Sequence, residues 1–255
     1  MFSLDLAGDK FEHHRYNSLG SIEAANAVVR ADNQIDAYLA HAAQLFVRHG
    51  VHQRFGVALL HQHSECEPGE RMIQYDRVID GQKALLTYPV VKADTPGDEL
   101  PSVWAWSGDG FVPLEFTTDT LARELLLEGD IPTTFLEEFA DLTMTSPIGH
   151  LMGLAVVERS LYREAADGQT ALEYSTTARE NVMMLGINQP AKYVQTSWAF
   201  YEVVDDVGEG LFAKTNTNCV TGCKTYCEAY DSSGGHEKNR HKQHHWPPGT
   251  IAPPP

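Results

Sequence analysis

Between Arg54 and Phe116 the chain alternates apolar runs with turn signals, and this pattern restricts the fold more than any other feature. Residues 55–61 are almost continuously apolar, as in a strand covered on both faces. Pro68-Gly69 marks a turn, after which Met72-Ile73-Gln74-Tyr75-Asp76-Arg77-Val78 opens a second strand. Asp80-Gly81 is a hairpin signal, and residues 83–91 return beside that strand. Residues 103–106 and 111–116 flank Gly108-Asp109-Gly110, a further hairpin. Successive hairpins build an antiparallel sheet.

Helical periodicity flanks this region. Ile35, Tyr38, Leu39, Ala42, Leu45 and Phe46 recur at spacings of three and four, which predicts a helix over 33–49 with Asp32 as its cap and Gly50 as its stop. The Ala-rich residues 21–30 permit an earlier helix. A helix over 118–128 is expected with Thr118 as cap, and Asp130 with Pro132 marks a second start whose face is Phe135, Leu136, Phe139 and Leu142. Strands resume near 151–158, 170–176 and 193–203; in the last, Val194, Thr196, Trp198 and Phe200 share a face. Residues 1–20 read as irregular. The expected fold is therefore α+β: a mostly antiparallel β-sheet packed with an N-terminal helix and a central helical pair. Residues 1–215 form its single domain, 216–245 a Cys/His-rich segment read as zinc-stapled, and 246–255 a Pro-rich flexible tail.

Several function classes lose their support. The formal net charge is -16, and eight acidic residues lie between Glu115 and Asp141 against one base, Arg123. Such a surface repels phosphate backbones, so nucleic acid is not an expected partner; a solvated helical face accounts for the same run. There is no GxGxxG, GxxxxGK[ST] or GxSxG motif, and no internal repeat. No stretch reaches the length of an apolar membrane span, no signal peptide is evident, and four cysteines in 255 residues are not a secreted disulfide framework. The expectation is a cytoplasmic protein without membrane contact.

The chemistry concentrates at Leu60-His61-Gln62-His63-Ser64-Glu65-Cys66-Glu67. If the strand continues, its period of two puts His61, His63 and Glu65 on one face. Two neutral imidazoles and a carboxylate suit Zn2+ or Fe2+. His150, at the start of a later strand, is the expected further ligand, since strand ends can meet across a sheet. Glu67 is the expected catalytic base.

Gly56, His61, His63 and Glu67 resemble part of the first cupin metal motif, with Pro147, Gly149 and His150 as a remnant of the second. That resemblance implies a double-stranded β-helix with a metal oxygenase, isomerase or binding role. His63-x-Glu65 with His150 resembles the facial triad of the 2-oxoglutarate-dependent oxygenases, with Arg159 near the position of that family's 2-oxoglutarate-binding arginine. The resemblances cover two short patches, and no family is assigned from them.

A second candidate site lies in the C-terminal segment. Cys219, Cys223 and Cys227 are spaced four apart, sharing one face if helical, and His236 would complete a tetrahedral zinc shell. Arg54, Arg179 and Lys192 are candidates for holding an anionic substrate. Together these residues point to a metal-dependent enzyme acting on a small organic molecule, with iron oxygenase (oxidoreductase) chemistry ahead of zinc hydrolysis. The rival is a ligand- or protein-binding domain with structural zinc.

Overall fold

A computed structural model describes residues 3–31, 34–79, 81–95, 97–157, 161, 169–175, 179–186, 193–205 and 208–220. Three helices come first: α1 (His13–Asn17), α2 (Ile22–Arg30) and α3 (Gln34–Arg48). Strands β1 (Phe55–Leu59), β2 (Glu70–Ile79), β3 (Gln82–Val91), β4 (Leu100–Trp106) and β5 (Phe111–Thr117) follow. The helical pair α4 (Thr120–Leu127) and α5 (Thr133–Thr145) comes next. The chain then continues through β6 (Met152–Val156), β7 (Thr170–Ser175), β8 (Asn181–Gly186), β9 (Tyr193–Asp205) and β10 (Gly208–Val220). The fold is α+β and mainly antiparallel, as the sequence implies.

The sheet closes into a barrel in the order β1-β6-β4-β5-β2-β3-β8-β7-β10-β9. Closure leaves no free edge among the described strands. Two pairs are parallel, β2 with β5 and β7 with β10. The barrel shuts where Val57 pairs with Trp198 and Ala58 with Ser197. Gly56 makes that approach feasible: a Cβ there would stand 2.1 Å from the Trp198 carbonyl oxygen and 2.3 Å from Val157. The glycine that resembled a cupin position thus serves strand closure.

Alternation along β1 separates two environments. Phe55, Val57 and Leu59 join a cluster with α3 and α5, where the Phe46 ring meets Phe135 at 4.9 Å and Phe200 at 4.9 Å. Asp36, Ala37, Ala40, His41 and Gln44 on the far side of α3 are exposed, so this layer coats the outside of the barrel. Ala58 and Leu60 face the other way, with Val103, Leu114, Ala155 and Tyr16.

Local signals explain the boundaries. Gly50, at φ +66°, donates to Val47 O, while Val51 N–H reaches Phe46 O at 3.0 Å, a Schellman stop for α3. Ser21 caps α2 by accepting from Ala24 N–H. The cap of α4 is Asp119 rather than Thr118: its carboxylate accepts from Ala122 N–H at 2.9 Å, while Thr118 N–H is committed to Gln74 O. Asp32 lies outside the described residues. Within the acidic run, Glu124, Glu128, Asp130, Glu137, Glu138 and Asp141 are exposed. Asp119 is buried as a cap, and Glu115 turns into the barrel.

Three regions depart from expectation, the first being residues 181–186, which form β8 where no strand was expected. Residues 13–17, read as irregular, form α1. Residues 208–220 form β10, so Cys219 sits on a strand, not on a helix with its fellow cysteines; β10 also carries the sheet across the boundary expected at 215/216. No helix among the described residues is long and apolar enough to cross a membrane.

Candidate metal centre

A small pocket, partly open to solvent, lies within the barrel. Its lining draws on nine of the ten strands, which is possible only for a lumen. Ala58, Val103, Leu114 and Ala155 supply an apolar wall. His61, His63, Glu115, Glu173 and Thr196 supply the polar end.

β1 ends at Leu59, and the chain then leaves strand geometry. Leu60 N–H donates to Leu151 O at 2.8 Å, and Gln62 N–H donates to Gly20 O at 3.0 Å. The 60–67 segment is therefore a loop held across the barrel end. Helix α1 supports it: Tyr16 OH accepts from His63 N–H at 3.0 Å, and the Asn17 amide makes paired bonds with Cys66, at 2.8 Å to its carbonyl and 2.9 Å from its N–H. Arg179, in the left-handed region at φ 61°, donates to Glu65 O and pairs with Glu70 at 2.8 Å.

Within this frame His61, Glu173 and Cys219 converge. All three are buried, and one ligand atom from each lies within 4.8 Å of the others. The His61 Nδ1 position lies 2.8 Å from Leu59 O. A carbonyl can only accept, so Nδ1 carries the hydrogen and Nε2 presents its lone pair, the state in which imidazole binds metals. That lone pair lies 3.7 Å from Cys219 Sγ. Sγ in turn lies 2.9 Å from Glu173 Oε2 and 3.5 Å from Thr196 Oγ1. Tetrahedral zinc with ordinary bond lengths separates its nitrogen and sulfur ligands by about 3.6 Å and its oxygen and sulfur ligands by about 3.5 Å. The first spacing fits as it stands. The second, at 2.9 Å, is the length of a thiol hydrogen bond, and the two groups would have to part by about 0.6 Å to share an ion.

Electrostatics favour a cation here. Burial, then the neighbouring His63, holds the His61 pKa below its ordinary value and keeps the ring neutral. Burial and then the Glu173 carboxylate push the Cys219 thiol well up. A positive ion at this point would oppose both the buried carboxylate charge and the cost of a thiolate. The cluster can thus coordinate a metal ion.

His63 stands beside the cluster. Its ring is 4.5 Å from that of His61. Nδ1 meets Glu173 Oε1 at 3.3 Å, and Nε2 meets Glu115 Oε1 at 3.1 Å. His63 therefore bridges Glu173 and Glu115.

His61 and His63 lie side by side, but only His61 falls within the cluster of possible ligands. The expected partners are elsewhere. Glu65 is exposed, because the strand stops at Leu59 and the period of two no longer applies. Glu67 is exposed as well, and its N–H is taken by Glu70. The His150 backbone region does meet β1, but its side chain is exposed on a short 3-10 turn. The carboxylates beside the two rings are Glu173 on β7 and Glu115 on β5, both too distant in sequence for a local pattern to pair them with His61 or His63. Cys219 belongs to this centre; Cys223, Cys227, His236 and Arg159 lie outside the described residues, as does Lys192. Arg54 donates to the carbonyls of Leu125, Leu126 and Gly129 at the end of α4, and so is occupied in capping a helix. Cys66 is buried in apolar surroundings, its thiol pushed up to about 12, chiefly by burial.

Compared with known proteins, the chain matches no family model, no curated protein and no solved structure.

Proposed function

We propose that this barrel is a zinc-dependent enzyme whose lumen brings a small organic molecule and a water together at His61, Glu173 and Cys219. The convergence of those three side chains from the end of β1, from β7 and from β10 carries the reading. One thiolate, one imidazole and one carboxylate match the borderline softness of zinc and leave a fourth position for a non-protein ligand. Zinc in such a shell supplies a Lewis acid that lowers the pKa of a coordinated water toward about 7.

The remaining steps belong to the chain. His61 Nε2 coordinates while its Nδ1–H stays on Leu59 O. His63 Nδ1–H holds Glu173 in place, and its Nε2 faces Glu115, the more exposed of the two carboxylates and thus the one nearer the opening. The apolar wall excludes bulk water from the reacting end.

A second reading keeps ferrous iron and oxygen chemistry. The 4.5 Å separation of the His61 and His63 rings, with Glu173 touching His63, favours it. Purified protein loaded with zinc, or anaerobically with ferrous iron, separates the two. Hydration of acetaldehyde or hydrolysis of methyl acetate should follow zinc, vanish with chelator and return on readdition. Oxygen uptake with iron alone would favour the second reading, and no metal-dependent turnover under either condition would leave a binding role.

A further inference from the structure

We propose that Gln74 and Thr87 form a second binding subsite in the barrel lumen, one that takes an uncharged group able both to donate and to accept a hydrogen bond, such as a primary amide or a hydroxyl. The subsite uses no residue of the metal centre and stands whether or not an ion is held there.

Strand register puts these two side chains together. Gln74 on β2 is the register partner of Thr87 on β3, and register partners in a sheet point to the same face. The row continues to Thr117 on β5 and to Asn181 on β8. Four neutral polar side chains thus follow one another across β5-β2-β3-β8, and all four are buried. One end of the row serves the fold: Thr117 Oγ1 accepts from Asp119 N–H at 3.1 Å, at the turn into α4. The middle pair, Gln74 and Thr87, lines the pocket.

The sheet does not require polar groups at these two positions. On the same face of β3 and β8, the neighbouring register pair is Leu85 with Met183, an apolar contact. A buried amide–hydroxyl bond contributes little net stability, and an apolar pair of the same shape in its place is close to neutral.

The pair can also bond to more than itself. Gln74 Nε2 donates to Thr87 Oγ1 at 3.3 Å. That bond uses one amide hydrogen and one lone pair of the hydroxyl. The Thr87 hydroxyl still carries a hydrogen to donate, and the Gln74 oxygen has two lone pairs with which to accept. Neither group titrates, so the subsite keeps this character at every pH and offers no full charge to an ion.

The rest of the lumen sets which edge of a ligand meets the pair. Ala58, Ala155 and Val103 line the pocket from the adjoining strands β1, β6 and β4, which β5 separates from β2 and β3. A ligand turns its apolar edge to these residues and its amide or hydroxyl to Gln74 and Thr87.

The test compares acetamide with acetone, which match in size and shape while acetone lacks the amide hydrogens. It uses the full chain, methyl-labelled at threonine, with chelator present; Thr87 and Thr196 both line the pocket and serve as reporters. Acetamide should shift both methyl resonances and bind at least about tenfold more tightly than acetone. Gln74→Met and Thr87→Val, the latter read through Thr196, should each abolish that preference, and Thr87→Ser should keep it. Equal affinity for the two probes, no shift with acetamide, or a preference that survives both Gln74→Met and Thr87→Val would overturn the subsite. The two probes on the unaltered protein decide the matter even where a variant fails to fold. Because the chelator removes bound metal, none of these outcomes bears on the zinc reading.

Discussion

Cys219 and Glu173 face each other as register partners in the parallel pairing of β10 with β7, and Cys219 Sγ lies 2.9 Å from Glu173 Oε2. Residues 46 positions apart thus meet on adjoining strands of a closed barrel, at the depth where the loop after β1 delivers His61. A parallel pair in a mainly antiparallel sheet is what places thiol and carboxylate side by side.

Removing the thiol should change the metal's spectrum as well as its affinity. Cys219→Ser should weaken zinc binding by about 100-fold or more, at or above the top of the range for losing an outer partner of a ligand. In the cobalt form, the thiolate charge-transfer band should disappear. Competition against a chromophoric chelator measures the first effect, and absorption spectroscopy the second. Unchanged bands would assign the sulfur ligand to another cysteine.

Metal and fold should be linked. A ligand that binds only the folded state at 100 times its Kd adds about 2.7 kcal/mol. For a chain of this size that is a rise in Tm of about 5–10 °C. Differential scanning calorimetry of zinc-loaded and chelated protein should show that difference, and it should shrink to near zero in His61→Ala.

Alkaline pH should destabilise the protein through its buried weak acids. Burial raises the thiol of Cys66 to about 12, against about 8.5 for an exposed thiol. Between those values the unfolded chain has lost the proton and the folded chain keeps it, so stability falls as pH rises. The contribution is intact below about 8.5 and is lost progressively toward about 12. Tyr16 and Tyr38 are raised by burial too and steepen the decline at still higher pH. Urea midpoints for Cys66→Ala should therefore fall less between pH 8 and 10.5 than those of the unaltered chain, whatever the variant's offset at neutral pH.

Barrel closure should be sensitive to a single methyl group. Gly56→Ala forces a Cβ to 2.1 Å from the Trp198 carbonyl oxygen, a backbone atom that cannot turn aside. A cost of about 3 kcal/mol or more is expected. Gly69→Ala is the control, since no atom stands near its Cβ position and only its positive φ opposes the change. Comparable unfolding midpoints for the two variants would contradict the tight closure.

Many of the barrel's elements were legible in the chain, although its closure was not. The apolar stripe from Ile35 to Phe46, the turns at Gly81 and Gly108 and the alternation around Trp198 are local signals, and each fixes an element. β8 and β10 were less legible. Residues 181–186 are short and apolar without alternation, and the cysteines spaced by four in 219–227 carry the helical period. The proposed centre was legible only in part. His61 and His63 are adjacent in sequence, but their carboxylates come from strands 52 and 110 positions beyond His63. A one-sequence reading could offer only nearby acids, Glu65 and Glu67, because parallel register between distant strands leaves no local trace. Helix α1 was hidden for a different reason: five residues are too few for periodicity, and its place is set by Tyr16 and Asn17 gripping the loop.

The most direct measurement is the elemental metal content of the full chain and of its Glu173→Gln form after identical zinc loading and gel filtration. The substitution keeps the side chain's shape and leaves every cysteine and histidine in place. One equivalent of zinc should be lost from the variant. Equal zinc in both proteins would contradict a metal centre in the barrel lumen.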